Sequence, residues 1–328
     1  MPGSISHYLF AKDCLSKLDN KRVKNIINDN LDIYILGAQG PNFFDYDNYL
    51  PLISDKNLSM FSNLIHCKNI NDFFANMISY SNDNSCIRHI FNTNNFKNIT
   101  ISYIYGFLCH YTLDKLTHPY IYSLQFDLSD KYTKRHPKSL HKSIETHIDI
   151  LLLKKFKSLH PWQFDEYLNI NLNSDELLII CDMYKFLMEK VYGKSISYDD
   201  VSKSINLFIK SEQKLKSSNK LLALPYVSVK KVVSKNSFAD SKAYLNHKYC
   251  INDLLNTKNN SWENPFSYIK SNYSFIDIYM TSIDYCLDLI NCLDFYFNNE
   301  KTISEVLSKI NDKSFFTNQD WRLDYKIL

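Results

Sequence analysis

Apolar residues recur every three or four positions over long stretches of this chain, which is the spacing of one face of an α-helix. The clearest stripe lies between Ser274 and Phe297 and consists of Phe275, Ile278, Ile283, Cys286, Leu287, Ile290 and Leu293. Ser274 precedes Asp277 by three residues, as in a helix-capping box with a shorter acid. Related patterns predict further helices at 7–18, 70–80, 100–116, 138–156, 174–191 and 198–215.

Residues that form turns are scarce, since the 328 residues include only 5 Gly and 8 Pro. An all-β sandwich or barrel needs a turn about every 8–12 residues, so the composition argues against one. No linker rich in Pro, Gly or Ser divides the chain, and we predict one all-α domain. Gly106 lies in a predicted helix, where Gly costs ~1 kcal/mol relative to Ala, so we expect a close helix contact there. The stretch 217–235 is predicted to be a loop over the site or a short strand.

The charges are nearly balanced, with 38 basic and 35 acidic residues and a net charge of +3. Duplex nucleic acid usually needs a concentrated basic face, so nucleic acid is not an expected partner. The N-terminus lacks the charged and apolar segments of a secretory signal, and no run approaches the ~18 apolar residues of a membrane span. We therefore expect a cytoplasmic protein whose 8 Cys are reduced and mostly fill the core.

Three residues of metal-binding types are spaced by four in and after the predicted helix 100–116. His110, Asp114 and His118 would lie on one face of that helix. His110 and His118 would be ~12 Å apart along the helix axis, which is too far to bind one ion together. The spacing therefore indicates neighbouring ions, with Asp114 between them and able to bridge.

A second pair, His141 and Glu145, is also spaced by four, and Asp149 continues the same helix face. Zinc binds imidazole and carboxylate at ~2.0–2.2 Å, and catalytic sites keep one position open for water. His118, His141 and Glu145 would make such a three-ligand site. Either pair alone is usually an ordinary exposed pair, but two columns on nearby helices favour a metal cluster. The remaining histidines lack partners at this spacing and are expected to be structural or exposed: His89, His136, His147, His160 and His247.

Three further segments complete a recognisable pattern: Pro2 to His7, the turn Gly37-Ala38-Gln39-Gly40-Pro41-Asn42, and His66. Together with the two columns they resemble the zinc-dependent phospholipase C family, which includes secreted bacterial lecithinases and is distantly related to single-strand-specific zinc nucleases. The resemblance covers residues 2–150, with a fainter match at 262–297. It implies one all-helical domain over 1–328, with a metal-binding core at 1–160 and a helical extension at 161–328 that completes it.

The resemblance also implies a site for up to three zinc ions. The first ion would be bound by His66, His110 and Asp114, together with an acidic residue from the upstream turn. The second ion would take His118, His141 and Glu145. The third ion would take His7, the bridging Asp114, and the amino group and carbonyl of the first residue, which is Pro2 if Met1 is removed.

The turn departs from the family pattern at one position. The family turn usually ends in Pro-Asp, whereas here Asn42 follows Pro41. An amide oxygen coordinates metal weakly, brings no charge and cannot act as a general base. Asp45, three residues later, is the candidate substitute. We therefore expect the first zinc to bind less tightly, or activity to be reduced.

Phosphodiester hydrolysis is the chemistry that clustered zinc ions suit best. Such ions neutralise the phosphate, lower the pKa of a bound water and stabilise the attacking and leaving oxygens. We predict a phospholipase C-like phosphodiesterase acting on a phospholipid or another phosphodiester, with Asp45 as candidate catalytic base. Two alternatives remain. The first is a nuclease of the same fold or a hydrolase of small phosphodiesters, although nothing localises the aromatic platform that nucleases need. The second is a zinc-binding protein without catalytic activity.

Overall fold

A computed structural model describes residues 3–49, 58–82, 90–129, 137–215 and 253–326. Within these ranges nearly all regular structure is helical, and the prediction of an all-α fold is confirmed. A short antiparallel pair joins β1 (Trp262–Glu263) to β2 (Lys270–Ser271). The predicted loop or strand at 217–235 lies outside the described residues. Among the helices of the described ranges, none combines the length and hydrophobicity that a membrane span requires.

Each predicted stretch contains a helix, although the helix predicted at 100–116 extends over 93–129, and the helices at 21–29, 31–38, 59–67 and 303–310 were not predicted. In chain order they are α1 (Ser4–Lys17), α2 (Lys21–Asp29), α3 (Leu31–Ala38), α4 (Ser59–Cys67), α5 (Ile70–Asn82), α6 (Thr93–Ser129), α7 (Pro137–Lys157), α8 (Ser174–Tyr192), α9 (Tyr198–Leu215), α10 (Phe275–Phe297) and α11 (Ile303–Ile310). Short 3-10 helices lie at Gly40–Tyr49, Pro161–Gln163, Glu166–Leu168 and Trp321–Lys326.

The start of α10 is the capping box that the sequence predicts. The Asp277 backbone N–H donates to Ser274 Oγ at 3.1 Å, and the Ser274 N–H donates to Asp277 Oδ2 at 2.8 Å. Two of the free N–H groups at the helix start are thereby satisfied. Local sequence signals thus fix where this helix begins.

Helix α6 runs through the centre of the fold, and its residues from 99 to 115 are all buried. Helix α3 packs against it through two glycines. A Cβ atom at Gly106 would lie 2.0 Å from the Tyr34 carbonyl oxygen, and one at Gly37 would lie 2.3 Å from the Tyr103 carbonyl oxygen. The close contact predicted at Gly106 is confirmed, and it places α3 and the turn after it directly beside α6.

Three buried cysteines meet beside α6. The sulfurs of Cys14, Cys109 and Cys286 lie within 4.8 Å of one another, a spacing at which they could hold a metal ion. The Tyr34 hydroxyl donates to the Ala11 carbonyl at 2.8 Å, so in its 3.2 Å contact with Cys109 Sγ the thiol is the donor. A thiol that donates carries its proton, which fits Cys109 as a core residue, and all three cysteines are buried.

Candidate metal centre

Four helices bring most of the predicted metal ligands to one region around the middle of α6. The contributions are His7 from α1, His66 from α4, His110, Asp114 and His118 from α6, and His141 and Glu145 from α7. All of these side chains are buried except that of His141, which is 14% exposed. Residues far apart in the sequence therefore face one another in the interior.

His66, His110 and Asp114 place three ligand atoms in a triangle. His66 Nε2 lies 3.1 Å from His110 Nε2. Asp114 Oδ2 lies 3.2 Å from His110 Nε2 and 3.5 Å from His66 Nε2. Ligand atoms bound to zinc at ~2.0–2.2 Å in a tetrahedron are about 3.3–3.6 Å apart, so this triangle has the size of one tetrahedral face. The structure thus brings together the three residues assigned to the first ion.

The second oxygen of Asp114 faces helix α1. Asp114 Oδ1 lies 3.2 Å from His7 Nε2, and the ring centroids of His7 and His110 are 4.4 Å apart. The two carboxylate oxygens therefore point at imidazole nitrogens on different helices. A carboxylate placed in this way can bridge two ions, which is the arrangement predicted for Asp114.

His118, His141 and Glu145 form the second group. Glu145 Oε1 lies 2.9 Å from His141 Nε2 and 3.9 Å from His118 Nε2, and one ligand atom of each residue lies within 4.8 Å of the others. Lys142 Nζ lies 2.8 Å from Glu145 Oε2. The lysine therefore engages one carboxylate oxygen while the other faces the histidines. Three donors at this spacing match a zinc site with one open position.

Hydrogen bonds from the second ring nitrogen orient two of the histidines. His66 Nδ1 donates to the Ser62 carbonyl at 2.6 Å, and His118 Nδ1 donates to the Phe315 carbonyl at 2.7 Å. Because a carbonyl oxygen only accepts, both rings carry their proton on Nδ1 and a lone pair on Nε2. Ligand histidines in metal sites are commonly fixed by such a second partner.

Burial and neighbouring charges set the protonation states that metal binding needs. Burial lowers the pKa of His110 and of His118 well below the ordinary value, so both rings are neutral at pH 7. Burial raises the pKa of Glu145, but the Lys142 ammonium, the His141 ring and other positive charge together outweigh burial and hold that pKa well below the ordinary value. Neutral imidazole and ionised carboxylate are the forms that bind zinc.

Several buried atoms of the site form no hydrogen bond within the described part of the chain. They are both ring nitrogens of His7, Nδ1 of His110, both carboxylate oxygens of Asp114, and Nε2 of His118. A buried polar atom left without a partner costs ~1–3 kcal/mol, and a charged one costs more. Bound cations would satisfy the two Asp114 oxygens and the Nε2 atoms of His7 and His118, but not Nδ1 of His7 and His110, because those rings face the site through Nε2. Since imidazole nitrogen and carboxylate oxygen are zinc donors, the residues present fit zinc.

Asn42 lies in the 3-10 helix that follows α3. Its side chain is buried, and its Oδ1 forms no hydrogen bond to any described residue. Gly40 in the same turn lies against the His110 ring, where a Cβ atom would come within 2.2 Å of His110 Cδ2. The turn therefore packs onto the metal centre through Gly40, and the Asn42 amide oxygen of the same turn is buried. A ligand role for Asn42 stays a prediction.

Asp45, the candidate catalytic base, is half-buried. Burial lowers the pKa of Lys142, but the carboxylates of Glu145, Asp45 and Glu212 raise it above its ordinary value. Asp45 is therefore close enough to Lys142 to act on it electrostatically. Its role as catalytic base stays a prediction.

A loop after α11 covers the centre, and no sequence signal predicted this. The Phe315 N–H donates to the His66 carbonyl at 3.0 Å, while the Phe315 carbonyl accepts from His118. The Phe316 ring stacks on His66 at 5.3 Å between centroids. One loop therefore touches histidines of both ligand groups. Two adjacent aromatic residues in a polar loop are too common a pattern to have identified it.

Two of the histidines expected to be structural have other partners. The His147 ring nitrogen Nδ1 lies 2.7 Å from the Ser143 carbonyl oxygen, and His160 stacks on Trp162 with 4.5 Å between ring centroids. The other three, His89, His136 and His247, lie outside the described residues.

A family model matches much of the chain. The model of a family described as zinc dependent phospholipase C matches residues 6–219, more than half of the chain. The matched range contains every predicted ligand except the first residue, from His7 to Glu145. It ends before the fainter resemblance at 262–297 and before the loop that holds Phe315. No curated protein and no solved structure matches the chain.

Proposed function

This chain belongs to the zinc-dependent phospholipase C family, and on that premise we propose that it hydrolyses phosphodiester bonds with zinc held by the two ligand groups. The triangle of His66 Nε2, His110 Nε2 and Asp114 Oδ2, with edges of 3.1–3.5 Å, carries the proposal. Three donors from two helices converge at the spacing of ligands on one ion. Buried carboxylate oxygens normally accept hydrogen bonds, whereas those of Asp114 accept none from the described residues, as expected of metal ligands.

We assign up to three ions to these residues. The first would be held by the triangle, with Asn42 as a weak additional donor. The second would be held by His118, His141 and Glu145, and the third by His7 with the second oxygen of Asp114. Zinc bound there would supply Lewis-acid chemistry, neutralising the phosphate and lowering the pKa of a bound water.

The protein itself contributes orientation and charge. The Phe315 carbonyl holds the His118 ring in the tautomer that presents Nε2 to Glu145. Lys142 helps to keep Glu145 ionised and contacts its Oε2 at 2.8 Å. Asp45, half-buried near Lys142, would accept the proton of the attacking water. These roles predict a site that is formed before substrate binds.

The substrate class we propose is a phospholipid, cleaved to diacylglycerol and a phosphorylated headgroup. The test is to purify the chain with its N-terminus untagged, measure zinc by elemental mass spectrometry, and assay three substrates. These are phosphatidylcholine vesicles, single-stranded DNA and the small diester bis(p-nitrophenyl) phosphate. We expect two or three zinc ions per chain and release of diacylglycerol. Cleavage of DNA or of the small diester alone would favour the other phosphodiesterase class.

Matched variants separate metal chemistry from general damage. Asp114→Asn and His118→Ala should lose zinc and reduce hydrolysis by more than the roughly 10–100-fold that changes to outer-shell partners cost. His160→Ala removes a histidine that stacks on Trp162 outside the site, and it should leave both quantities unchanged. Absence of zinc from the purified chain, with none taken up on titration, would overturn the proposal. Bound zinc without hydrolysis of any substrate would favour a non-catalytic zinc-binding protein.

A further inference from the structure

Asp149 connects the helix of the second ligand group to the start of the chain. It lies on α7, one turn after Glu145, and its side chain is fully buried. It accepts hydrogen bonds from the backbone N–H of Ile5 at 3.2 Å and of Ser6 at 2.9 Å, and from the Ser6 hydroxyl. A carboxylate on one helix thus binds the first turn of another.

This contact replaces the missing cap of α1. Gly3 occupies the capping position and has no side chain to offer, so α1 has no cap of its own. The first N–H groups of a helix lack partners within it, and together they carry a partial positive charge of about half an elementary charge. The Asp149 carboxylate satisfies two of them and is in turn neutralised by the helix end. Charge-assisted hydrogen bonds of this kind are stronger than neutral ones.

Two further contacts restrict the same turn. A Cβ atom at Gly3 would lie 2.0 Å from Asp149 Oδ2, so only glycine lets the backbone approach the carboxylate this closely. On the other side, Gln39 Nε2 donates to the Ser4 carbonyl at 3.2 Å. The start of α1 is therefore held between α7 and the turn that contains Gly40.

His7 follows Ser6 directly and depends on this arrangement. Its Nδ1 forms no hydrogen bond within the described part of the chain, whereas His66 and His118 are each anchored by an Nδ1–H donated to a carbonyl. No hydrogen bond on Nδ1 fixes the His7 ring, so its direction depends on the backbone of α1 and on its packing against His110. The ring reaches Asp114 Oδ1 at 3.2 Å only while the first turn stays in place.

We propose that Asp149 is a positioning residue of the metal centre, which clamps the first turn of α1 so that His7 presents its nitrogen beside Asp114. The inference rests on the proposed function only in requiring that a metal binds at His7. Helix α7 would then support two ligand groups, one through His141 and Glu145 and the other through Asp149. Metal binding by His141 and Glu145 would then affect the position of His7, because Asp149 on the same helix holds the first turn of α1.

Asp253 provides a matched control because its carboxylate accepts the same set of donors. Those donors are the Thr257 N–H at 2.7 Å, the Thr257 hydroxyl at 2.8 Å and the Lys258 N–H at 3.1 Å, in a surface loop. The experiment compares Asp149→Asn with Asp253→Asn in the full chain. Zinc stoichiometry, zinc affinity by chelator competition, and the visible spectrum of the Co²⁺-substituted protein are measured for each. We expect Asp149→Asn to weaken the metal site at His7 by about 10–100-fold and alter its spectrum, while Asp253→Asn does neither.

A double-mutant cycle distinguishes positioning from general destabilisation. If Asp149 acts through His7, Asp149→Asn should cause no further loss of metal affinity in a His7→Ala background. Full additivity of the two effects, or wild-type affinity in Asp149→Asn, would overturn the proposal. If Asp149→Asn fails to fold, Ser6→Ala removes a single donor and should weaken the same site less strongly. Tight, Asp149-dependent metal binding without phosphodiester cleavage would refute the proposed function and leave this inference standing.

Discussion

The backbone of Gly40 lies directly against the imidazole ring of His110. A Cβ atom built on Gly40 would lie 2.2 Å from His110 Cδ2 and 2.4 Å from His110 Nε2, and the φ angle of Gly40 is +57°. Two independent constraints therefore require glycine here, namely the left-handed backbone and the ring packed on it. The ring in turn faces Asp114 and His66, so the turn after α3 forms one wall of the metal centre.

Replacing Gly40 by alanine should damage the metal centre more than the fold. The added methyl group must displace the His110 ring, and we expect zinc at the His66, His110 and Asp114 triangle to bind at least about 10-fold more weakly. Gly193→Ala is the matched control, since Gly193 also has a positive φ of +60° but no atom within 4 Å of its Cβ position. Chelator competition measures the affinities. Equal zinc affinity in the two variants would refute the claim that Gly40 positions the His110 ring.

The amide at position 42 offers a change that should improve the site. Asn42→Asp adds a negative charge to a buried donor, and greater ligand charge strengthens cation binding. We expect zinc affinity at the first site to rise on the order of tenfold. Asn42→Ala should lower that affinity because it removes the oxygen. If neither variant changes the affinity, Asn42 is not a ligand.

The close contact of α3 with α6 should be sensitive to a single methyl group. In Gly106→Ala the Cβ atom would lie 2.0 Å from the Tyr34 carbonyl oxygen, which belongs to a helix backbone and cannot rotate away. We expect a loss of about 3 kcal/mol in the free energy of unfolding, measured by urea denaturation. Ser123→Ala on the same helix should change it by less than about 1 kcal/mol. A loss no larger in Gly106→Ala than in this control would show that the two helices can separate.

Lys115 makes stability depend on pH in a defined direction. It is buried beside Tyr111 and Tyr285, and burial, assisted by Lys313, lowers its pKa from 10.5 to about 7. Between pH 7 and 10.5 the unfolded chain therefore binds one proton that the folded chain does not. Stability from this residue should rise with pH in that window, by up to about 1.4 kcal/mol per pH unit, and fall as pH drops towards 7.

Urea denaturation of the metal-free chain between pH 7 and 9 measures this slope. Lys115→Met removes the titrating group and should flatten it. Lys155→Met, at an exposed position of α7, should leave the slope as it is. A wild-type stability that falls over this window would contradict the burial-driven pKa.

Much of the fold was predictable because helical periodicity is local. The stripe from Ser274 to Phe297, its capping box with Asp277, and the tight contact at Gly106 can each be read within a few residues. The loop containing Phe315 could not be predicted, since it contacts His66 and His118 through backbone groups that leave no trace in residue spacing. Backbone contacts of this kind depend on how distant segments pack.

The candidate site was predictable to a similar degree. Spacing by four placed His110, Asp114 and His118 on one helix face, and His141 and Glu145 on another. The pairing of His7 with Asp114 came from family resemblance, because no local pattern joins residues so far apart in the chain. The sequence placed Asp149 on the correct face of α7, but its contact with Ser6 depends on the packing of two helices that only the structure reveals.

Helix α6 fixes the spacing of the ligands in this centre. His110, Asp114 and His118 lie about 6 Å apart along the helix axis, because four residues of an α-helix rise by that amount. The distance between the α6 residues of the two ligand groups is therefore set by the geometry of the helix and not by loops. One residue inserted between Asp114 and His118 would rotate His118 by about 100° around the helix axis and separate the two ligand groups. A ligand that contacted both groups would have to fit this fixed spacing, and residues around the groups would determine which ligands are accepted.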